Sequence, residues 1–153
     1  MLRIMFVCHG NICRSPMAEY VMKYLVEKEG LSDRIFITSS ATSTEEIGNG
    51  VHYGTRSKLN EKGIPCGSHR AIQLTGEDGE RYDYIIGMDS ANLKNMRRIL
   101  KCEDAKISLL LDFTDRKGCS IADPWYTGNF EETYQDVMDG CQALLKAILE
   151  KNL

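Results

Sequence analysis

The hydrophobic pattern at the start of the chain predicts a strand, a loop and a helix. Residues 2–7 form an apolar run with the length of a buried strand, and a polar turn that contains a glycine follows it. Ser15 and Pro16 then favour a helix start, with Ser15 at the N-cap and Pro16 at the first helical position. After them, apolar residues recur with the spacing of one helical face up to Gly30: Ala18, Val21, Met22, Leu25 and Val26.

The rest of the chain continues this alternation of strands and helices. The pattern predicts further strands at residues 35–39, within 82–88 and at 106–111, and further helices that end near 63, cover 90–100 and begin near 130. Asn129 and Glu132 resemble a capping box at the start of the last helix. Strands and helices in alternation are typical of an α/β fold with a parallel sheet covered by helices.

Length, charge and cysteine content narrow the class of protein. We expect residues 1–153 to form a single domain, because a chain of 153 residues is long enough for one hydrophobic core. With 22 acidic and 19 basic residues, the net charge is −3, so no overall positive field attracts nucleic acid or an anionic membrane. We see no signal peptide and no membrane-spanning stretch, and therefore expect a cytoplasmic protein whose six cysteines are reduced.

A C-x5-R motif joins the first strand to the first helix. Cys8 and Arg14 are separated by five residues, enough to curl the backbone so that successive N–H groups point at one tetrahedral oxyanion. Gly10 and Asn11 tolerate the left-handed angles that this curling requires. The N–H groups, the Arg14 guanidinium and the Ser15 hydroxyl all favour a charged Cys8 sulfur, while Arg14 suits bidentate binding of a phosphoryl group. The motif predicts a cysteine nucleophile in a phosphate-binding loop.

Expulsion of an alkoxide or phenolate from phosphorus is easier when an acid donates a proton. Asp123 is the best candidate for that acid because Pro124 stiffens its loop and two aromatic residues, Trp125 and Tyr126, follow it. An Asp-Pro pair alone is usually a plain turn, so this prediction depends on the first motif.

With both motifs in view, the sequence resembles the low-molecular-weight protein tyrosine phosphatases over essentially its whole length. The resemblance is carried by VCHGNICRSPMAE near the start and DPWY near the end, together with SATSTEEIGN, SHRAIQL and YDYIIGMDSANL between them. It implies a small doubly wound α/β domain around a four-stranded parallel sheet, with the phosphate loop between the first strand and the first helix. It also implies hydrolysis of phosphotyrosine in proteins or peptides, inhibition by inorganic phosphate and similar oxyanions, and no metal or other cofactor.

The resemblance assigns roles to individual residues. Cys8 becomes the nucleophile that forms a phosphocysteine, Arg14 binds the phosphate, and Asp123 acts first as general acid and then as general base. Asn11 would hold the loop shape and Ser15 would stabilise the thiolate as leaving group, with Ser39 and His69 as hydrogen-bonded support behind the loop. The substrate would contact the loop and two walls: His9, Gly10, Asn11, Ile12, Cys13 and Ser15 in the loop, and Glu45, Trp125 and Tyr126 around it.

Cys13 matches the second cysteine of the family, which can form a reversible disulfide with the nucleophile under oxidants. Cys13 is either such a redox partner for Cys8 or a side chain that fills space beneath the loop, and both interpretations stay open.

Two positions depart from the common family pattern. Glu45 stands where many relatives carry an aromatic wall residue, and it either favours substrates with basic flanks or is a solvated loop charge. Trp125 replaces the commoner tyrosine and keeps an aromatic face for stacking. His9 is expected at the rim, without a role as general base.

Three rival functions share parts of this pattern. A thioredoxin-coupled arsenate reductase would need further cysteines near YDYIIGMD, which has none. A protein-arginine phosphatase typically has threonine at the position of Ile12. A non-catalytic phosphate-binding module would not need Asp123. Three scattered histidines and the lack of C-x2-C spacing argue against a metal site.

Overall fold

The computed structural model describes residues 1–101 and 103–152 and shows an α/β fold built on one sheet. Four strands, β1 (Leu2–Cys8), β2 (Ile35–Ala41), β3 (Tyr84–Gly87) and β4 (Ile107–Leu109), pair in parallel in the order β2-β1-β3-β4. The predicted four-stranded parallel sheet is therefore confirmed.

Helices cover both faces of this sheet. Their bounds are α1 (Arg14–Lys28), α2 (Tyr53–Glu61), α3 (Asp78–Arg81), α4 (Ser90–Ile99), α5 (Pro124–Thr127) and α6 (Phe130–Asn152), with 3-10 turns at Asp104–Lys106 and Leu110–Phe113. The short helices α3 and α5 were not predicted from the sequence. Across the described residues, no helix combines the length and apolar character needed to cross a membrane.

The apolar run of β1 is continuous from Ile4 to Cys8 because this part of the strand is buried on both faces. Ile4 and Phe6 pack into the larger core cluster, which includes residues of α1 and α6. Met5 and Val7 point to the opposite face, where they pack with Met96 of α4. Successive strand side chains alternate between faces, so a strand covered on both sides needs apolar residues at every position.

The long helix α6 approaches the sheet closely at Gly140. A Cβ atom on Gly140 would lie 2.4 Å from Cγ of Leu110, so the absence of a side chain lets the two elements meet. Cys141 is fully buried beside it, and this burial raises the pKa of its thiol.

The start of α1 differs from the prediction. The helix begins at Arg14, and Cys13 occupies the N-cap without a capping hydrogen bond from any described side chain. Ser15 therefore lies inside the first turn, and Pro16 follows it there. The reason is that the Ser15 hydroxyl bonds within the phosphate loop and is not free to cap the helix.

One other boundary and one capping motif also differ from the prediction. β4 ends at Leu109, earlier than the predicted 111, because the Asp112 carboxylate accepts the Leu109 N–H at 2.9 Å and closes a 3-10 turn. At the start of α6, Asn129 Oδ1 accepts the Glu132 N–H at 3.0 Å as expected. The Glu132 carboxylate, however, contacts the Asn129 side-chain amide at 3.4 Å, so the capping box is half formed.

Candidate active site

The phosphate loop follows the carboxyl end of β1, the edge of a parallel sheet where ligands usually bind. Asn11 has φ of 60°, the one positive φ at a non-glycine residue in the described chain. Its side chain compensates for this strain with four hydrogen bonds. Nδ2 donates to Ser15 Oγ at 2.7 Å and Ser39 Oγ at 2.9 Å, while Oδ1 accepts from His69 Nε2 at 2.7 Å and the Ile72 N–H at 3.2 Å.

Cys8 lies at the base of this loop and is 3% exposed. Its Sγ is 3.0 Å from Ser15 Oγ and accepts the Asn11 N–H at 3.3 Å. The loop thus places one backbone N–H and one hydroxyl group within hydrogen-bond distance of the sulfur.

Arg14 is buried and surrounded by acceptors. Nη1 donates to Asp89 Oδ2 at 2.7 Å and to the Ile121 carbonyl at 2.9 Å, and Nη2 lies 3.4 Å from Asp123 Oδ2. Burial opposes the charge, but Cys8, Asp89 and Asp123 raise the pKa of Arg14, so the guanidinium stays protonated.

Asp89 was missed by sequence reasoning. It follows β3 after one intervening residue, Met88, and caps α4, with Oδ1 accepting the Asn92 N–H at 2.8 Å. An aspartate after a parallel strand and before a helix start was the available signal, since the carboxyl ends of parallel strands share one edge.

Asp123 caps the short helix α5, where Oδ1 accepts the Trp125 N–H at 3.0 Å. Its other oxygen, Oδ2, is the one near Arg14. The predicted acid therefore lies at the same pocket as the predicted nucleophile, although the two are far apart in sequence.

A buried polar network supports the loop from behind. Ser39 Oγ donates to Glu19 Oε1 at 2.6 Å, and Lys23 pairs with Glu19 Oε2 at 2.7 Å. His69 bridges toward Asn11, and burial lowers its pKa while Glu19 acts against that shift. Ser39 and His69 thus both hydrogen-bond Asn11 behind the loop, and the supporting role that the resemblance implies for them stays a prediction. Glu19, 2% exposed, was missed, although its polar side chain on the otherwise apolar face of α1 was a usable signal.

The pocket in front of the loop combines residues from three segments of the chain. It is lined by Cys8, His9, Gly10, Ile12, Cys13, Arg14, Glu45, Glu46, Asp123, Trp125 and Tyr126. Of the residues predicted to bind substrate, Asn11 and Ser15 do not line it, because their side chains are used in the contacts behind the loop. Glu46 was not predicted.

The rim of the pocket has a polar part and an aromatic part. His9 Nε2 and Glu45 Oε2 are 2.6 Å apart, with both side chains more than half exposed. Trp125 and Tyr126 are 56% and 83% exposed, respectively, which leaves their rings accessible to a ligand. Glu45 is therefore paired with the phosphate loop through His9.

Cys13 lines the pocket and is 5% exposed, and its carbonyl accepts a hydrogen bond from Thr55 Oγ1 at 3.1 Å. Burial, with smaller contributions from Asp123 and Cys8, raises the pKa of Cys13 to about 12. Cys13 is thus a neutral thiol at physiological pH. Disulfide formation with Cys8 stays a prediction.

No group of three or more His, Cys, Asp or Glu residues within 1–101 and 103–152 is arranged to hold a metal ion. The expectation of metal-free catalysis stays a prediction.

Comparison with known proteins gives one consistent family. Residues 3–153 match the family described as low molecular weight phosphotyrosine protein phosphatase. The Bacillus subtilis low molecular weight protein-tyrosine-phosphatase YfkJ is 40% identical over 150 residues, which cover 97% of this chain and 96% of that protein. The human low molecular weight phosphotyrosine protein phosphatase is 42% identical over 149 residues, or 94% of this chain and 93% of that protein.

Solved structures agree with the sequence matches. The crystal structure of YfkJ has a TM-score of 0.95 at 38% identity and covers 100% of this chain and 98% of its own. The structure of the low molecular weight protein tyrosine phosphatase SP-PTP from Streptococcus pyogenes has a TM-score of 0.86 at 44% identity, with 100% of both chains covered. Fold and sequence together define a hydrolase of phosphoric monoesters. The chain belongs to the low-molecular-weight protein tyrosine phosphatase family.

Proposed function

We propose that this enzyme hydrolyses phosphotyrosine in proteins or peptides through a phosphocysteine on Cys8, and that residues 1–153 act as one catalytic domain. The observation that carries the proposal is the environment of Cys8. Its sulfur accepts a backbone N–H and lies 3.0 Å from a hydroxyl, in a pocket that Arg14 and Asp123 also line. These are the groups needed to form and stabilise a thiolate, bind a phosphoryl group and protonate a leaving oxygen.

In the first step, the Cys8 thiolate attacks phosphorus and forms an S–P bond as the bond between phosphorus and the phenolic oxygen breaks. Arg14 and the loop N–H groups hold the three equatorial oxygens, over which the charge of the transferring phosphoryl group is spread as it flattens in the transition state. Asp123 in its protonated form gives its proton to the leaving phenolate oxygen, and tyrosine departs neutral.

In the second step, Asp123 as a carboxylate removes a proton from a water molecule that attacks the phosphocysteine. The S–P bond breaks, inorganic phosphate is released, and the Cys8 thiolate is restored. The Ser15 hydroxyl, 3.0 Å from Cys8 Sγ, stabilises the sulfur as leaving group. Inorganic phosphate and similar oxyanions occupy the same loop and act as competitive inhibitors.

The walls of the pocket favour an aryl substrate. Ile12 gives the loop an apolar contact, and the exposed ring of Trp125 offers a stacking surface for a phosphotyrosine ring. Glu45 and Glu46, both at the pocket, add negative charge at its mouth, so we propose a preference for phosphotyrosine with Lys or Arg in the flanking sequence.

The decisive experiment is mass spectrometry of the enzyme quenched during turnover of para-nitrophenyl phosphate. We expect a phosphoryl group on Cys8. The Cys8→Ser variant should be inactive and Asp123→Ala strongly impaired, while Cys119→Ser, at an exposed cysteine, should match the wild type. Activity should persist in a chelator. A reduced enzyme that is inactive on every aryl phosphate offered would contradict the proposal.

A comparison of turnover rates on different substrates separates the rival functions. Phosphotyrosine, phosphoarginine and arsenate are compared as substrates for the reduced enzyme, with the Cys8→Ser variant as the blank. Phosphotyrosine should be the best of the three. Faster turnover of phosphoarginine would favour a protein-arginine phosphatase, and binding of phosphotyrosine without turnover would favour a non-catalytic module.

A further inference from the structure

His52 lies just before α2 and contacts three other aromatic rings. Its ring stacks on Phe130, with centroids 5.5 Å apart and planes at 15°, and on Tyr53, at 4.7 Å and 26°. It also meets the Trp125 ring edge-on, at 5.5 Å and 73°. His52 therefore connects the start of α2 to α5 and α6, and Trp125 is the member of this group that lines the catalytic pocket.

Both the backbone and the ring of His52 are fixed. The His52 N–H donates to the Ile12 carbonyl in the phosphate loop at 2.9 Å. Nδ1 accepts the Gly54 N–H at 3.0 Å and caps α2, which requires that Nδ1 carries no proton. The position of the His52 ring is therefore tied to the position of the phosphate loop.

Phe130 fixes the other side of the histidine ring. It packs against a small cluster that includes Ile12 and Cys13 of the phosphate loop. It approaches α2 so closely that a Cβ atom on Gly54 would lie 2.3 Å from its Cζ. His52 is therefore held between the phosphate loop and α6.

Helix α5, by contrast, has little burial of its own. Of its four residues, Pro124 alone is buried, and the Trp125 ring is 56% exposed. The Trp125 N–H donates to Asp123 Oδ1 at 3.0 Å, so the wall residue and the proposed acid share one short turn. A contact that fixes Trp125 thereby also fixes the Asp123 carboxyl group.

We propose that His52 is a positioning residue, which holds Trp125 and, through the capping bond, Asp123 in register with the phosphate loop. The inference rests on the proposed role of Asp123 as general acid. A ring at position 52 is the required feature, because the stacking and edge contacts depend on it.

Two substitutions test the contribution of the His52 ring independently of the contribution of its capping nitrogen. His52→Asn keeps a side-chain acceptor for the Gly54 N–H but has no ring, whereas His52→Phe keeps a ring but has no acceptor. Tyr53→Ala is the matched control, because it removes a stacking partner of His52 that does not line the pocket. Each variant is assayed on para-nitrophenyl phosphate and on phenyl phosphate. Phenolate is the poorer leaving group of the two, so its departure depends more strongly on protonation by the acid.

The expected result is a change in leaving-group dependence. A misplaced acid slows the substrate with the poorer leaving group, so His52→Asn should lower kcat/KM for phenyl phosphate by on the order of tenfold and for para-nitrophenyl phosphate by about twofold to threefold. His52→Phe and Tyr53→Ala should stay within about twofold of the wild type on both substrates. Equal losses on both substrates in His52→Asn, or an impaired His52→Phe, would overturn the proposal.

A second measurement does not depend on catalysis. Trp125 is the single tryptophan of the chain, so fluorescence excited selectively at tryptophan, without its seven tyrosines, reports on this wall alone. His52→Asn should increase quenching of Trp125 by acrylamide, and His52→Phe should not. Unchanged quenching in His52→Asn would overturn the inference. If Asp123→Ala left the leaving-group dependence unaltered, the proposed role of Asp123 as general acid would be wrong. The fluorescence measurement would still test the contact between His52 and Trp125.

Discussion

Replacement of Asp89 tests how the phosphate-binding arginine is held. One carboxylate serves two donors: Oδ2 accepts from Arg14 Nη1 at 2.7 Å, and Oδ1 accepts the Asn92 N–H at 2.8 Å. Asparagine has one acceptor oxygen, so Asp89→Asn can keep only one of these bonds and turns an NH2 group toward the other donor. Asp89→Ala loses both.

The structure sets the size of the effect on stability. The Arg14 side chain is 3% exposed and the Asp89 side chain 26%, so the bond is shielded from water. A hydrogen bond to a charged group contributes about 2 kcal/mol, and loss of a helix cap to alanine costs about 1 kcal/mol. For a protein of this size, we predict that Tm falls by about 6 °C in Asp89→Asn and by about 9 °C in Asp89→Ala.

The effect on catalysis has a separate cause. Without Asp89, the guanidinium of Arg14 is free to turn toward Asp123, which already lies 3.4 Å from Nη2. A tighter pair would both misdirect the phosphate-binding group and hold the proposed acid in its charged form. We predict that kcat/KM on para-nitrophenyl phosphate falls on the order of tenfold, which corresponds to about 1.4 kcal/mol.

The assays are thermal unfolding and initial rates, with Asp33→Asn as control because Asp33 is exposed. An Asp89→Asn variant with wild-type Tm and wild-type kcat/KM would refute the reasoning, since it would mean that Arg14 does not need this partner.

Three further predictions concern other parts of the molecule. After peroxide treatment, dithiothreitol should restore activity of the wild type but not of Cys13→Ser, if a disulfide protects Cys8; equal recovery would exclude that switch. Gly140→Ala should lower the free energy of unfolding by about 1–3 kcal/mol in urea despite the better helix propensity of alanine, because the new Cβ meets Leu110, and no loss would contradict this packing. Hydrogen bonds from Gln135, Lys58 and Lys62 lower the pKa of Glu131 from 4.5 to about 2, so its contribution to stability is complete above pH 4.5 and is lost toward pH 2. Urea unfolding should therefore show Glu131→Gln less stable than the wild type at pH 7, with a difference that shrinks below pH 4.5; a constant difference would disprove the linkage.

The fold was largely predictable because its signals are local. The apolar run of β1, the spacing of α1 and the later alternation of strands and helices follow from side-chain periodicity within each segment. The C-x5-R motif is local too, and its position between β1 and α1 is as predicted. Element ends were less predictable: a serine at a strand-helix junction favours an N-cap, yet Ser15 bonds Asn11 and lies 3.0 Å from Cys8 Sγ.

By itself, the sequence determined the α/β class, the phosphate loop and the identity of its candidate nucleophile, arginine and acid. The tertiary structure alone decided some of the groups that hold them: Asp89 reaches Arg14 across 75 residues, and His52 reaches Trp125 between two separate helices. Periodicity fixes which face of an element is buried, but it does not say which polar atoms meet. That pairing depends on the order and register of the parallel strands, which bring distant segments together at one edge of the sheet.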